Sequence, residues 1–174
     1  AGKYNVPFTT GLLIGIGETW EERLEALYLI NEIHQKYGNI QEVIIQNFQP
    51  KPDIKMSNHK TLNIEEILRT ISVARIILSP EISLQAPPNL HSEHLSYLDA
   101  GINDWGGISP LTIDFINPEM EWPEINFLSK RMSVKGYILK ERLTVYPKYV
   151  DEKKNFLSSE IRTQISKMET RIAC

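Results

Sequence analysis

The sequence predicts an α/β fold built on a parallel sheet, and three observations carry that reading. Four short apolar segments alternate with stretches of helical period, and strands separated by a helix run parallel because the connection must cross over. The apolar segments are near-continuous, as in strands covered on both faces. Polar residues collect where those segments end: Glu18, Gln46-Asn47, Gln85 and Asn103-Asp104. Two closures stay open at this level, a doubly wound sheet and part of a (β/α)8 barrel. In both, ligands bind at the carboxyl ends of the strands. A complete barrel takes about 250 residues, so four strand–helix units in 174 residues amount to half of one.

The first strand, Phe8–Ile14, is closed by Gly15-Ile16-Gly17. Thr19 with Glu22 forms a capping box, so a helix starts near Trp20, with Leu24, Leu27, Tyr28 and Ile33 inward, and Gly38 ends it. The second strand covers 42–46, and the following loop holds Pro50 and Pro52, which cannot donate to a ladder. Asn63 and Glu66 repeat the cap pattern, and Ile64, Ile67, Leu68, Ile71 and the run 75–78 carry a helical period up to Pro80. A third strand spans 82–85 and stops at Pro87-Pro88. Ser92 opens a short helix with Leu95 and Leu98, closed by Gly101, and the fourth strand is 102–105. Trp122-Pro123 places proline in the first turn of a helix reaching about Gly136. Ser158 or Ser159 caps a last helix with Ile161, Ile165, Met168 and Ile172 on one face.

Composition excludes several classes. With 19 basic against 22 acidic residues the net charge is −3, without the basic footprint of a non-specific nucleic-acid binder. Hydrophobic residues at 41% suffice for a core, and no apolar run approaches the ~20 residues that span a bilayer. The opening residues, starting at Ala1, do not form a signal segment, and they read as a chain cut from a longer one. A single cysteine, Cys174, excludes an internal disulfide and any cluster held by several thiolates.

Glu18 lies just outside the capping box, so it is either a ligand contact or a carboxylate gaining from the helix dipole. Any one of Gln46, Asn47, Gln85, Asn103 and Asp104 would ordinarily cap loop backbone, but four strand ends with the same placement point to a shared site. Gly15-Ile16-Gly17 fails as a dinucleotide fingerprint, because Trp20 stands where the third glycine belongs and Glu18 would face the pyrophosphate. His91 and His94 have metal-ligand spacing but lack a third ligand. His34 and His59 have no partners at such spacing, so no metal site is expected. Lys148, Lys153 and Lys154 mix with Asp151 and Glu152 as a solvated stretch. Trp105, Trp122 and Tyr146-Pro147-Lys148-Tyr149 are candidates to stack on a planar ligand, with core packing the plainer role for Trp122. Sequence assigns no catalytic group.

These residues also carry a resemblance. Gly11-Leu-Leu-Ile-Gly15-Ile-Gly17-Glu18-Thr19 resembles the G-x-I-x-G-x-x-E motif of radical S-adenosylmethionine (SAM) enzymes, with Leu13 in place of isoleucine. The stretch Thr70-Ile-Ser-Val-Ala-Arg-Ile76 is similar to the matching helix of biotin synthase relatives. Gln46-Asn-Phe-Gln-Pro-Lys-Pro52, Leu84-Gln-Ala-Pro-Pro-Asn-Leu90, Gly101-Ile-Asn-Asp-Trp-Gly-Gly-Ile-Ser-Pro110 and Asp114-Phe-Ile-Asn-Pro-Glu119 narrow it. Together they resemble the cyclising-subunit family of FO synthases, which make a deazaflavin chromophore, up to about Val150.

The resemblance implies the C-terminal half, strands five to eight, of a radical SAM (β/α)8 TIM-type barrel over 1–150, with 151–174 as an amphipathic helix or tail. It implies SAM and a [4Fe-4S] cluster as cofactors, the cluster held by a C-x-x-x-C-x-x-C loop. A deoxyadenosyl radical then closes the ring of a hydroxybenzyl adduct of a ribitylaminouracil, with loss of ammonia. Gly11, Leu13, Gly15, Gly17 and Glu18 would line the adenine side of SAM, and Gln46, Asn47, Gln85, Asn103, Asp104 and Trp105 the uracil-derived substrate. The cluster loop is absent from this chain, so the expected partners are an N-terminal half-barrel and the companion subunit that makes the adduct, with neither nucleic acid nor membrane, in the cytoplasm. The alternative is a non-catalytic half-barrel acting as a binding module with a partner chain.

Overall fold

The computed structural model describes residues 1–109, 111–150 and 155–172, the side chains of 169–172 excepted. Pro110, Asp151, Glu152, Lys153, Lys154, Cys174 and the side chain of Ile172 therefore lie outside the described residues. After a 3-10 turn at Gly2–Tyr4 come β1 (Phe8–Ile14), α1 (Trp20–Tyr37), β2 (Ile40–Asn47), α2 (Ile64–Ile77), β3 (Ser83–Gln85), α3 (Ser96–Ala100), α4 (Ile125–Val134), α5 (Pro147–Val150) and α6 (Ser159–Ile172). The three strands form one parallel sheet in chain order.

The helix boundaries follow their caps. Thr19 and Glu22 exchange hydrogen bonds as the capping box requires, and Gly38 ends α1 in the left-handed conformation at φ 65°. The Asn63 side chain caps α2 through the Glu66 amide. α1 packs on β1 and β2, and α2 on β2 and β3. Ile14, Val43, Ile45 and Leu84 are thereby fully buried with Leu27, Ile67, Ile71 and Ala74.

Because strand side chains alternate, the register gives the other face of the sheet a different character. Thr9 pairs with Glu42, Gly11 with Ile44 and Leu13 with Gln46; Glu42 pairs with Ser83 and Ile44 with Gln85. The helix-free face thus carries Thr9, Glu42, Gln46, Ser83 and Gln85. Its polarity overturns the expectation of strands apolar on both faces.

Several expected elements differ. Strand β2 begins at Ile40, two residues early, because the register shifts between Phe8 and Thr9 and leaves Gln41 as a bulge. The fourth strand is reduced to a single parallel bridge, Gln85 to Asp104: Gly106 follows at φ 73° and turns the chain away. Pro123 precedes α4, whose N-cap is Glu124, and α3 starts at Ser96, after a turn at 92–95. Of the expected inner face of α6, Ile165 is buried while Ile161 and Met168 are half exposed.

Candidate functional site

A cleft of about 1230 Å³ opens on the helix-free face of the sheet. Its second wall is the strap 137–146, which leaves α4 and crosses back over the sheet. The bulged Gln41 anchors that strap: its amide nitrogen donates to the Thr144 carbonyl (3.2 Å) and to Thr9 Oγ1 (3.2 Å), and its oxygen accepts from the Tyr146 amide (3.3 Å). A bulge re-aims one side chain in this way. The apolar side of the cleft comprises Leu98, Ile102, Trp105, Ile108, Met132 and Leu139.

At the polar side, Arg142 lies between two carboxyl groups. Its Nη2 donates to Glu42 Oε1 (2.8 Å) and its Nε to Asp104 Oδ2 (2.5 Å). The Tyr146 hydroxyl sits 2.6 Å from Asp104 Oδ2 and 3.1 Å from Glu42 Oε1, with the Arg142 guanidinium 4.1 Å above its ring. The Gly106 amide donates to Asp104 Oδ1 (2.6 Å) and Thr9 Oγ1 to Glu42 Oε2 (3.4 Å). With its amide nitrogen turned inward, Gln85 donates to Glu42 Oε1 at 2.8 Å.

Burial and the neighbouring Asp104 charge raise the Glu42 carboxyl above its ordinary range, and Arg142 only partly opposes them. Burial also pushes Asp104 up, but hydrogen bonds from Arg142, Tyr146 and Gly106 outweigh it and hold that carboxyl low. Burial and the Asp104 hydrogen bond push the Tyr146 phenol upward, so it stays protonated.

The residues singled out from sequence fall into three groups. Gln85, Asn103, Asp104, Trp105 and Tyr146 line the cleft, although Trp105 is buried, with Nε1 donating to Met132 Sδ (3.1 Å) and its ring edge-on to His94. Gln46 lies farther along the same face, in a shallow hollow with Gly11 and Leu13. Asn47 is held elsewhere, buried with its amide 3.5 Å from the Leu90 carbonyl. Asn103 stands at the cleft wall, but its oxygen accepts from the Leu84 amide (2.8 Å) and from Arg75 (3.3 Å), docking the bridge segment.

Glu18 folds back on its own loop. It accepts from the Gly15 and Ile16 amides (2.8 Å each) and from Arg23 (2.6 and 2.7 Å). Burial raises its carboxyl, yet these donors outweigh burial and hold it low. Gly15 takes φ 89° and Gly17 φ 105° in that loop. Gly11 is required by contact, since a Cβ there would lie 2.3 Å from the Ile44 carbonyl oxygen. Among the proposed stacking residues, Tyr149 is buried edge-on against Phe156, and Trp122 is half-buried.

Sequence reasoning missed Glu42 and Arg142, and it marked Tyr146 as a stacking candidate without foreseeing the contacts of its hydroxyl. A signal for the first was present: a carboxylate inside an apolar parallel strand requires a partner. Nothing local marked Arg142 or the hydroxyl role of Tyr146, which reach Glu42 across 100 and 104 residues.

No protein-family model matches the chain. The relatives are more informative. The 7,8-didemethyl-8-hydroxy-5-deazariboflavin synthase of Methanococcus maripaludis is 52% identical over 168 residues, 96% of this chain and 47% of the relative. The synthase of the same name from Methanocaldococcus jannaschii is 52% identical over 169 residues, 97% of this chain and 46% of the relative. The FO synthase of Streptomyces avermitilis is 49% identical over 162 residues, 92% of this chain and 19% of the relative. This chain is homologous to FO synthases. It spans about half the length of the first two relatives and about a fifth of the third.

The FO synthase likeness brings an iron–sulfur cluster and SAM into question, and the residues answer differently for each. A cluster needs several thiolates, and this chain has one cysteine. Among the described residues no group of His, Cys, Asp and Glu is placed to hold a metal ion. The cluster does not fit here. SAM meets a more suitable surface, because Gly11 and Leu13 stand exposed on the helix-free face, beside the turn that Glu18 braces.

Proposed function

We propose that this chain supplies strands five to eight of a radical SAM (β/α)8 barrel, and that an N-terminal half carrying the cysteine loop completes it. The joined protein would be a carbon–nitrogen lyase that converts 5-amino-5-(4-hydroxybenzyl)-6-(D-ribitylimino)-5,6-dihydrouracil into FO with release of ammonia. The observation that carries this reading is identity of about half the residues to FO synthases over 92–97% of the chain. The helix-free face supports it as well. A doubly wound sheet would cover that face with further helices on apolar side chains, whereas here it is polar and opens into a cleft.

Bound SAM would supply the radical chemistry; this chain's residues bind, orient and shield. Gly11, Leu13, Gly15 and Gly17 would leave room for the adenine, with Glu18 fixing their loop from behind. Gln46, Gln85 and Asp104 would meet the uracil edge and ribityl hydroxyls, and Trp105, Ile108 and Met132 would shelter the hydroxybenzyl ring from water. Asn47, facing the Leu90 carbonyl, and Asn103, which accepts from the Leu84 amide and Arg75 at the cleft wall, would hold the segments around the substrate.

The experiment is anaerobic reconstitution with iron and sulfide, with and without the cysteine-bearing half of a relative, followed by assay of deoxyadenosine and FO. The expected result is product only when both halves are present. A cluster and SAM cleavage from the 174 residues alone would overturn the reading. Tight association with the other half and no product would favour the non-catalytic binding module.

A further inference from the structure

Glu42 and Asp104 share one guanidinium and one phenol, and the donors around them are unequal. Asp104 has the three shortest contacts: Arg142 Nε at 2.5 Å, the Tyr146 hydroxyl at 2.6 Å and the Gly106 amide at 2.6 Å. Glu42 has longer ones: Arg142 Nη2 and the inward-turned Gln85 amide nitrogen at 2.8 Å, the Tyr146 oxygen at 3.1 Å and Thr9 Oγ1 at 3.4 Å. Tyr146 has a single hydroxyl proton, and the shorter contact assigns it to Asp104. Two oxygens then face each other across 3.1 Å with no proton between them, unless Glu42 carries one.

Charge counting leads to the same point. Glu42 is 6% exposed and the Asp104 side chain 10%. Two carboxylates against one guanidinium would leave an uncompensated negative charge in this site, which desolvation opposes. One proton makes the cluster neutral. We infer that Glu42 holds that proton at neutral pH, so that the floor of the cleft is a neutral acid beside an ionised Asp104, the two joined through Tyr146.

The two carboxyls are displaced in opposite directions, Glu42 upward by burial and Asp104, despite burial, downward by its donors, and two carboxyls separated by their surroundings take different roles. The other groups facing the pair are Thr9 from β1 and Ser83 and Gln85 from β3, all uncharged. Lys140 and Glu141 on the strap line the same cleft but are exposed, where solvent screens them. An uncharged floor suits a neutral, carbonyl-rich and hydroxyl-rich ligand better than a cation. That consequence rests on the function proposed above, whereas the proton itself does not.

The test compares wild type, Glu42→Gln and Asp104→Asn at pH 7, each as the full chain combined with the cysteine-bearing half. Glutamine has the shape and charge of a neutral glutamic acid. Glu42→Gln should therefore keep its melting midpoint within about 2 °C, while Asp104→Asn, which strips Arg142 of its ionised partner, should lose about 5 °C or more. Infrared spectra of the wild type should contain a protonated-carboxyl band that Glu42→Gln lacks. A loss in Glu42→Gln equal to that in Asp104→Asn would overturn the inference, as would the absence of that band from the wild type. Should Asp104→Asn fail to fold, the infrared comparison of the other two proteins still decides. Wild-type protein that has the band but makes no deoxyadenosine would count against the proposed function and leave the proton in place.

Discussion

At the scale of single residues, Glu18 and Glu42 bind protons in opposite senses. Glu18 was legible as an unusual residue, because the capping box beside it was complete without it. Its partners were not legible, since the turn that aims the Gly15 and Ile16 amides at it depends on positive φ at Gly15. Charge-assisted hydrogen bonds are worth about 1.5–3 kcal/mol each, and cooperative loss of several is less than their sum. Glu18→Gln should thus lower unfolding stability by about 2 kcal/mol in urea titrations at pH 7.

The pH dependence separates the two residues. The Glu18 carboxyl is held below its ordinary 4.5 in the fold, so its contribution is present above pH 4.5 and fades as pH falls through its folded value. The Glu42 carboxyl is raised above 4.5. The native state then binds the extra proton, and stability declines as pH rises from 4.5 toward that raised value. Urea midpoints measured across the acid and neutral range should accordingly show a gentler acid-side loss in Glu18→Gln and a weaker decline above pH 4.5 in Glu42→Gln. Parallel curves for both variants and the wild type would contradict this account.

Among the elements, those with strong local signals were legible: β1, α1 and α2 stand where the apolar runs and the caps Thr19 and Asn63 place them, although Tyr28 and Ile33, expected inward on α1, are exposed. The segment 102–105 has a strand-like composition, yet it makes one bridge. Its docking depends on a side chain, since Asn103 takes the Leu84 amide. A local sequence window cannot distinguish that from a ladder. The strap 137–146 has no periodicity, and its position is set by Gln41, Glu42 and Asp104 from distant parts of the chain. Asn103→Ala should therefore strip the Leu84 amide of its acceptor and Arg75 of one contact. The expected cost is about 1–3 kcal/mol, with faster hydrogen exchange at 83–85 and unchanged protection in β1 and β2. Uniformly faster exchange through all three strands would mean that the bridge segment belongs to the global folding unit.

For the whole molecule, the decisive feature is the sheet's outer strand. In the order β1-β2-β3, β1 has a partner on one side among the described residues, and Phe8 and Leu13 on it are 46% and 45% exposed. An open strand edge with apolar side chains templates association, and barrel closure removes it. If the cysteine-bearing half joins at this edge, Leu13 becomes buried in the joint. Covering the exposed part of a leucine is worth roughly 1 kcal/mol, and a lysine ammonium at the same place adds a desolvation cost. Leu13→Lys should consequently weaken binding of the other half by about tenfold or more. The melting midpoint of the chain itself should stay within about 2 °C, because the wild-type side chain is already half in solvent. Titration of labelled chain with the cysteine-bearing half measures the first quantity and thermal melts the second. Unchanged affinity would place the junction away from β1, whereas a matching drop in stability would make Leu13 part of this chain's own core.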